Sequence, residues 1–241
     1  MKIKKIFASV VILVLVITIV GCSTSSNSST NSSSSGTIKE MSGEELAKIQ
    51  NDKDKKEKYL VIDVRSEEEY KAGHLQHAIN IAVGDVKSNI DKIKFWKEKP
   101  VILYCNSGKK SKEAADILIA EGFKDVTNAK GVKEYTDYKL VKYNNILGED
   151  FQKVITEEKG LFLDARKSSD YQKSHVKDAK NVDPDNLGDI EKILPEDKNQ
   201  AIYTYCYSGN RSGVVAQKLV DLGYTNVNNA LDGTKEFDYK F

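Results

Sequence analysis

The chain has 241 residues, 30% of them charged and 39% hydrophobic, with 37 basic against 36 acidic side chains. That length accommodates one large domain or two small ones, each with a workable core. A formal charge of +1, with no zinc-finger spacing and no basic stripe interleaved with aromatics, gives no case for a nucleic-acid partner, so none is expected, and three scattered histidines form no metal-site spacing. In chain order, Lys2, Lys4 and Lys5 precede an uncharged, nearly all apolar run over 6–20. As a helix this run reaches about 22 Å, short of the roughly 30 Å hydrocarbon core, so it predicts an export signal rather than a durable span.

The run ends IVGC, residues 19–22, which resembles the lipobox of bacterial lipoproteins. The resemblance implies a signal peptide over 1–21, a diacylglyceryl thioether on Cys22, and Cys22 as an acylated, palmitate-type mature N-terminus. The chain would then be lipid-anchored to a membrane at the extracytoplasmic face of the bacterial cell envelope. Two acyl chains anchor stably, each buried methylene contributing about 0.8 kcal/mol. Residues 23–36, STSSNSSTNSSSSG, hold nothing apolar to bury, so 22–37 is expected to be the lipidated cysteine and a flexible tether. With Cys22 assigned to lipid, Cys105 and Cys206 are too few for a disulfide scaffold despite an oxidising location. One disulfide between them stays arithmetically open.

The body is an internal duplication. LVIDVRSEEEYKAGHLQHAINI (60–81) matches LFLDARKSSDYQKSHVKDAKNV (161–182), so that Asp63 pairs with Asp164, Arg65 with Arg166, Tyr70 with Tyr171 and His74 with His175. The same 101-residue offset carries Cys105 onto Cys206 and Gly108 onto Gly209, then slips by one near Gly131 and Gly233. Two similar domains follow, expected at 38–141 and 142–241 without a long linker, so that they can pack together. Apolar runs predict strands at 59–64, 101–105, 161–165 and 201–206, with closing strands in FKDVTN and YTNVNN. Short helices are expected at 91–96 and 187–193, and longer ones at 111–121 and 212–222, where Gly122 and Gly223 are helix stops. Strands alternating with helices argue for an α/β fold, each domain a central parallel sheet flanked by helices. Ligands bind at the carboxyl ends of such strands, where both cysteines fall.

The loops read CNSGKKS (Cys105, Asn106, Ser107, Gly108, Lys109, Lys110, Ser111) and CYSGNRS (Cys206, Tyr207, Ser208, Gly209, Asn210, Arg211, Ser212). A turn from strand into helix aims backbone N–H groups and a helix N-terminus at the sulfur, favouring a thiolate, which the reading expects to stay exposed. Glycine permits backbone angles that side chains obstruct. Arg211 supplies paired donors suited to an oxyanion, whereas Lys110 keeps the charge without the planar fork. Ser208 and Ser212 add hydroxyl donors or cap the helix.

In order and in both halves, the D-V/A-R segment, the Y…H…A-x-N segment and the C-x-x-G-x-[R/K]-S loop resemble tandem rhodanese-like domains over roughly 38–241. The resemblance implies a sulfurtransferase: the loop cysteine takes sulfane sulfur from a small donor such as thiosulfate or a polysulfide as a persulfide. It then passes that sulfur to cyanide, a thiol or a protein acceptor, with no metal or organic cofactor. Cys206 is the favoured nucleophile and Cys105 a competent second. Related cysteine phosphatases place five residues between cysteine and arginine; four stand here, which favours a single sulfur over a phosphate. Many cyanide-directed members carry arginine directly after the cysteine, where Asn106 and Tyr207 stand. Asp63, Arg65, Asp164 and Arg166 are expected to organise buried turns, and His74 and His175 to bond backbone. Tyr104 and Tyr205 are expected to pack in the core; Tyr207, within the loop, leaves open whether it only packs or shapes an acceptor channel. The alternatives are a thiol redox protein using both cysteines, or a rhodanese-like binding or regulatory module with little turnover.

Overall fold

The computed structural model describes residues 36–241. The expected signal peptide, Cys22 and the tether up to residue 35 lie outside the described residues.

The first half contains β1 (Lys39–Met41), α1 (Gly43–Asn51), α2 (Lys53–Lys56), β2 (Leu60–Asp63), α3 (Glu67–Ala72), β3 (His74–Leu75), β4 (Ala78–Asn80), α4 (Ile90–Ile93), β5 (Pro100–Tyr104), α5 (Lys109–Ala120) and β6 (Asp125–Ala129). The second contains β7 (Leu140–Val141), β8 (Asn144–Ile146), α6 (Gly148–Glu157), β9 (Leu161–Asp164), α7 (Ser168–Tyr171), β10 (Lys180–Asn181), β11 (Ile202–Tyr205), α8 (Asn210–Asp221) and β12 (Val227–Ala230). Two five-stranded sheets result, ordered β1-β6-β5-β2-β4 and β8-β12-β11-β9-β10, with every neighbouring pair parallel. The duplicated sequence therefore folds into duplicated sheets. Each is a central parallel sheet flanked by helices.

Alternation along the strands explains why both faces are covered. Leu60, Ile62, Val101, Leu103 and Cys105 enter one apolar cluster with Ala114, Ala115 and Leu118 of α5. Val61, Ile102 and Tyr104 enter another with Leu46 and Ile49 of α1. Successive side chains point to opposite faces, so a strand buried on both reads as a continuous apolar run. The second sheet repeats this: Ile202 and Cys206 pack with Val215, Ala216 and Leu219, while Tyr205 packs with Phe151 and Phe162.

Several boundaries differ from the sequence expectation. β1 and β8 read KEM and NNI, which carry too little apolar pattern to announce an edge strand; hydrogen bonding to β6 and β12 holds them. The helices expected at 111 and 212 begin at Lys109 and Asn210 instead. Gly108 and Gly209 adopt left-handed backbone, φ 75° and 73°, which turns the chain straight into the helix without a side-chain cap. The cysteines follow their strands directly rather than ending them.

Edge strands β4 and β8 bring the two halves together. Asn145 Nδ2 donates to Gln76 O at 2.8 Å and to Ala78 O at 3.0 Å, and its backbone N–H donates to Tyr70 Oη at 3.2 Å. Leu147 and Leu231, from the second half of the chain, join the apolar cluster of the first sheet.

Candidate active site

Each site is built on a buried ion pair at the end of the sheet's middle strands. Asp63 accepts from Arg65 Nε at 3.0 Å and Nη2 at 2.6 Å, and Arg65 Nη2 also donates to Gly73 O at 2.7 Å. Asp164 and Arg166 repeat this geometry, with Nη2 donating to Ser174 O at 2.6 Å. These are paired, charge-assisted bonds that lock the turn after β2 and β9. The neighbouring histidines brace the same turns. Nδ1 of His74 donates to Tyr70 O at 2.8 Å, and Nδ1 of His175 to Tyr171 O at 2.7 Å; a carbonyl only accepts, so Nδ1 carries the proton. Burial pushes His74 down to about 4, against a smaller opposing effect of its bond to Tyr70. Tyr104 does more than pack: its hydroxyl donates to Asp63 Oδ2 at 2.8 Å and accepts from the Leu75 N–H at 3.1 Å. Tyr205 likewise accepts from the Val176 N–H at 3.1 Å.

The sulfurs lie at the floor of the loops. Cys105 is 2% exposed and Cys206 1%, which corrects the expectation of an exposed thiolate. The loop closes because the segment after the last strand presses on it. Val132 N–H donates to Cys105 O and Thr234 N–H to Cys206 O. A Cβ on Gly131 would lie closer than 3 Å to Asn106 and Cys105 backbone, and one on Gly233 equally close to Tyr207 and Ser208 backbone. These glycines admit the backbone approach that seats each loop. Both cysteines are free thiols, each in its own core cluster.

Burial alone would raise the Cys105 thiol. The Ser111 hydroxyl and the backbone N–H groups of Ser111, Ser107 and Lys110 outweigh it, and the net shift is downward. Ser111 Oγ lies 3.4 Å from Cys105 Sγ and 2.7 Å from Asn128 Oδ1. In the second loop Ser212 Oγ lies 3.4 Å from Cys206 Sγ and 3.2 Å from Gly209 O. The loop amides and the Ser111 hydroxyl thus favour the Cys105 thiolate, as the sequence led one to expect.

The two mouths differ in charge. Arg211 Nε donates to Ala165 O at 2.9 Å, and its guanidinium pairs with Asp183 at 3.3 Å and Asp185 at 3.5 Å. Its fork, expected to face an anionic donor, is engaged by protein oxygens. At the matching positions of the first half stand Ala82 and Gly84. Lys110 makes no ion pair among the described residues, and Ser107, Lys109 and Lys110 are exposed. Tyr207 Oη donates to Asp170 Oδ2 at 2.6 Å and accepts from the Lys167 N–H at 3.2 Å, so its ring bridges loop to α7. Asn106 makes the equivalent bond to Glu69 Oε1 at 2.6 Å. Asn210 Nδ2 donates to Ser208 Oγ at 3.2 Å.

Sequence reasoning missed the residues that reach the second loop from elsewhere. Asn229 Nδ2 donates to Gly209 O at 3.2 Å and to Asn145 Oδ1 at 3.1 Å, linking that loop to the seam between the sheets. Lys56 of α2 donates to Ser208 O at 2.8 Å and Leu231 O at 2.7 Å. His77 and Gln50 are buried nearby in the first half. Both His77 ring nitrogens and Gln50 Nε2 have no hydrogen-bond partner among the described residues. The signal for His77 was its departure from the repeat, where Asp178 stands. Lys56 left no signal, because a lysine in a charged run reads as solvated surface.

A family model described as "Rhodanese-like domain" matches residues 42–136 and 148–240. Among curated proteins, the chain is 42% identical over 73 residues to "Thiosulfate sulfurtransferase PspE" of Escherichia coli (strain K12), covering 30% of this chain and 70% of that protein. It is 32% identical over 95 residues to "tRNA uridine(34) hydroxylase" of Wigglesworthia glossinidia brevipalpis, covering 37% of this chain and 30% of that protein. Among solved structures, "rhodanese with anions from E. coli" is 39% identical, with 35% of this chain and 98% of that chain covered, at a TM-score of 0.33.

Proposed function

The chain belongs to the rhodanese-like family, and from that premise we propose that it is a sulfurtransferase carrying sulfane sulfur on a cysteine persulfide. The observation that carries the reading is the loop built twice: a cysteine directly after a parallel strand, a left-handed glycine opening a helix, and a serine hydroxyl 3.4 Å from each sulfur.

In the first half-reaction the cysteine thiolate attacks the outer sulfur of thiosulfate. A new S–S bond forms, the donor's S–S bond breaks, and sulfite leaves with the electron pair. The outer persulfide sulfur keeps the negative charge, which the loop N–H groups hold. In the second, a thiol or cyanide attacks that outer sulfur. The product leaves as a persulfide or thiocyanate, and the enzyme thiolate is restored. This is covalent catalysis with ping-pong kinetics. Lys109 and Lys110, exposed and without an ion-pair partner among the described residues, give the first mouth the better complement to an anionic donor. The second mouth, where Asp183 and Asp185 hold Arg211, favours a less charged donor such as a protein persulfide. The geometry therefore shifts the weight for thiosulfate from Cys206 to Cys105.

The lipobox-like IVGC segment supports a lipid-anchored enzyme at the extracytoplasmic face, and Cys22→Ala tests it: the expected result is release of the protein from the membrane fraction. Activity is tested by steady-state transfer from thiosulfate to a thiol with the Cys105→Ala and Cys206→Ala proteins. The proposal expects parallel-line kinetics, a large loss in Cys105→Ala, and abolition in the double variant. Turnover undiminished in the double variant would overturn it.

A further inference from the structure

We propose that Lys56 is a positioning residue for Cys206, a cation lent by the first domain that completes the catalytic loop of the second. The inference rests on the reading of Cys206 as a sulfur carrier.

Lys56 is buried, its side chain 4% exposed, and its ammonium has three protons to place. Its acceptors are Ser208 O at 2.8 Å, Leu231 O at 2.7 Å, and the Glu236 carboxylate, 3.3 Å from Oε2 and 3.4 Å from Oε1. A buried ammonium is tolerated only when it is paired and fully bonded. Here that requirement is met entirely by the second domain, although Lys56 belongs to the first.

The two carbonyls it joins are the ones that define the loop. Ser208 lies two residues after Cys206, and its carbonyl belongs to the peptide leading into Gly209, the left-handed residue that starts α8. Leu231 follows β12, and its carbonyl oxygen is so close to Gly209 that a Cβ there would collide with it. Two carbonyl dipoles converging on one point repel each other, and the ammonium between them turns that repulsion into attraction. Glu236 continues the chain by accepting from the Gly233 N–H at 2.8 Å, on the glycine that presses against Tyr207 and Ser208. Lys56 therefore ties together the three segments that shape the Cys206 loop. A bond on the outer carbonyl also polarises the peptide, strengthening the N–H on its other side.

Among the described residues the first domain lacks the device. The repeat places Glu157 where a reciprocal lysine would stand. Glu134, the counterpart of Glu236, accepts from the Gly131 N–H at 3.3 Å and pairs with Lys130 on the surface. The asymmetry makes Cys105 an internal control.

The experiment uses the full chain with Lys56→Met and Lys56→Arg. Iodoacetamide alkylation at neutral pH is followed by peptide mass mapping, so that Cys105 and Cys206 are read separately in each sample. The expected result is alkylation of Cys206 slowed about tenfold in Lys56→Met, the scale of losing one charge-assisted bond on the loop. Most of the rate should return in Lys56→Arg, with Cys105 unchanged throughout. Unchanged or faster Cys206 alkylation in Lys56→Met, or no recovery in Lys56→Arg, would overturn the proposal. If Lys56→Met unfolds, seen as both cysteines reacting rapidly together, Lys56→Gln carries the same expectation and the same refutation. Alkylation needs no sulfur donor, so a Cys206 that never accepts sulfur would count against the sulfurtransferase reading and leave this one standing on its own result.

Discussion

Arg211 Nη2 lies 3.3 Å from Asp183 Oδ1. That pair decides what the second loop offers an incoming donor, because a guanidinium already held by a carboxylate is a poor receptor for another anion. The Asp183→Asn/Asp185→Asn protein is expected to load sulfur from thiosulfate onto Cys206 several-fold faster than the wild type, with Cys105 loading unaltered. Peptide mapping after a short thiosulfate pulse checks this, and added salt should narrow the difference by screening the exposed carboxylates.

Cys105 is expected to alkylate with a pH midpoint below that of a free thiol. Its net downward shift comes from hydrogen bonds that overcome burial, so removing one must move it upward. Ser111→Ala should displace the iodoacetamide rate profile of Cys105 to higher pH and leave that of Cys206 in place.

Gly131 and Gly233 should each govern one site alone. The added methyl in Gly131→Ala meets Asn106 and Cys105 backbone, and that in Gly233→Ala meets Tyr207 and Ser208 backbone; neither obstacle is a side chain that rotates away. Each variant is expected to lose at least about tenfold in sulfur loading at its own cysteine, a scale reached by misplacing a reacting group by a fraction of an ångström. Loading at the other cysteine, read in the same sample, should persist.

Acid should weaken the fold through the buried histidines. Burial, reinforced by Lys56, pushes His77 down to about 3, with Asn210 acting the other way, and burial pushes His74 down to about 4. Above about pH 6.5 both are neutral in the folded and unfolded chain and contribute no pH dependence. As the pH falls below that value, the unfolded chain takes up protons that the folded chain refuses, so stability is lost down to the folded values. Each shift corresponds to an effect on the order of 3–5 kcal/mol at full extent. Thermal melting between pH 7 and pH 4 should show a steep decline, shallower in His77→Leu.

The repeat made the support of each site legible before its geometry was seen. Asp63 with Arg65, and His74 after Tyr70, recur at fixed spacing because each pair closes one local turn, so a single stretch of chain holds all the partners. What spans the fold left no such trace. β1 and β8 are short and polar, and only their pairing with β6 and β12 makes them strands. Burial of the cysteines depends on glycines 26 or 27 residues downstream folding back onto the loop. The carboxylates on Arg211 come from the loop after β10, visible in the sequence only as a departure from Ala82 and Gly84.

Intact-mass analysis of the reduced chain after exposure to thiosulfate tests the central claim most directly. The account predicts a gain of one sulfur atom, about 32 Da, mapped to Cys105 first and removed on adding a thiol acceptor. No gain with thiosulfate or polysulfide, or a loss of two hydrogens that either cysteine variant abolishes, would contradict it.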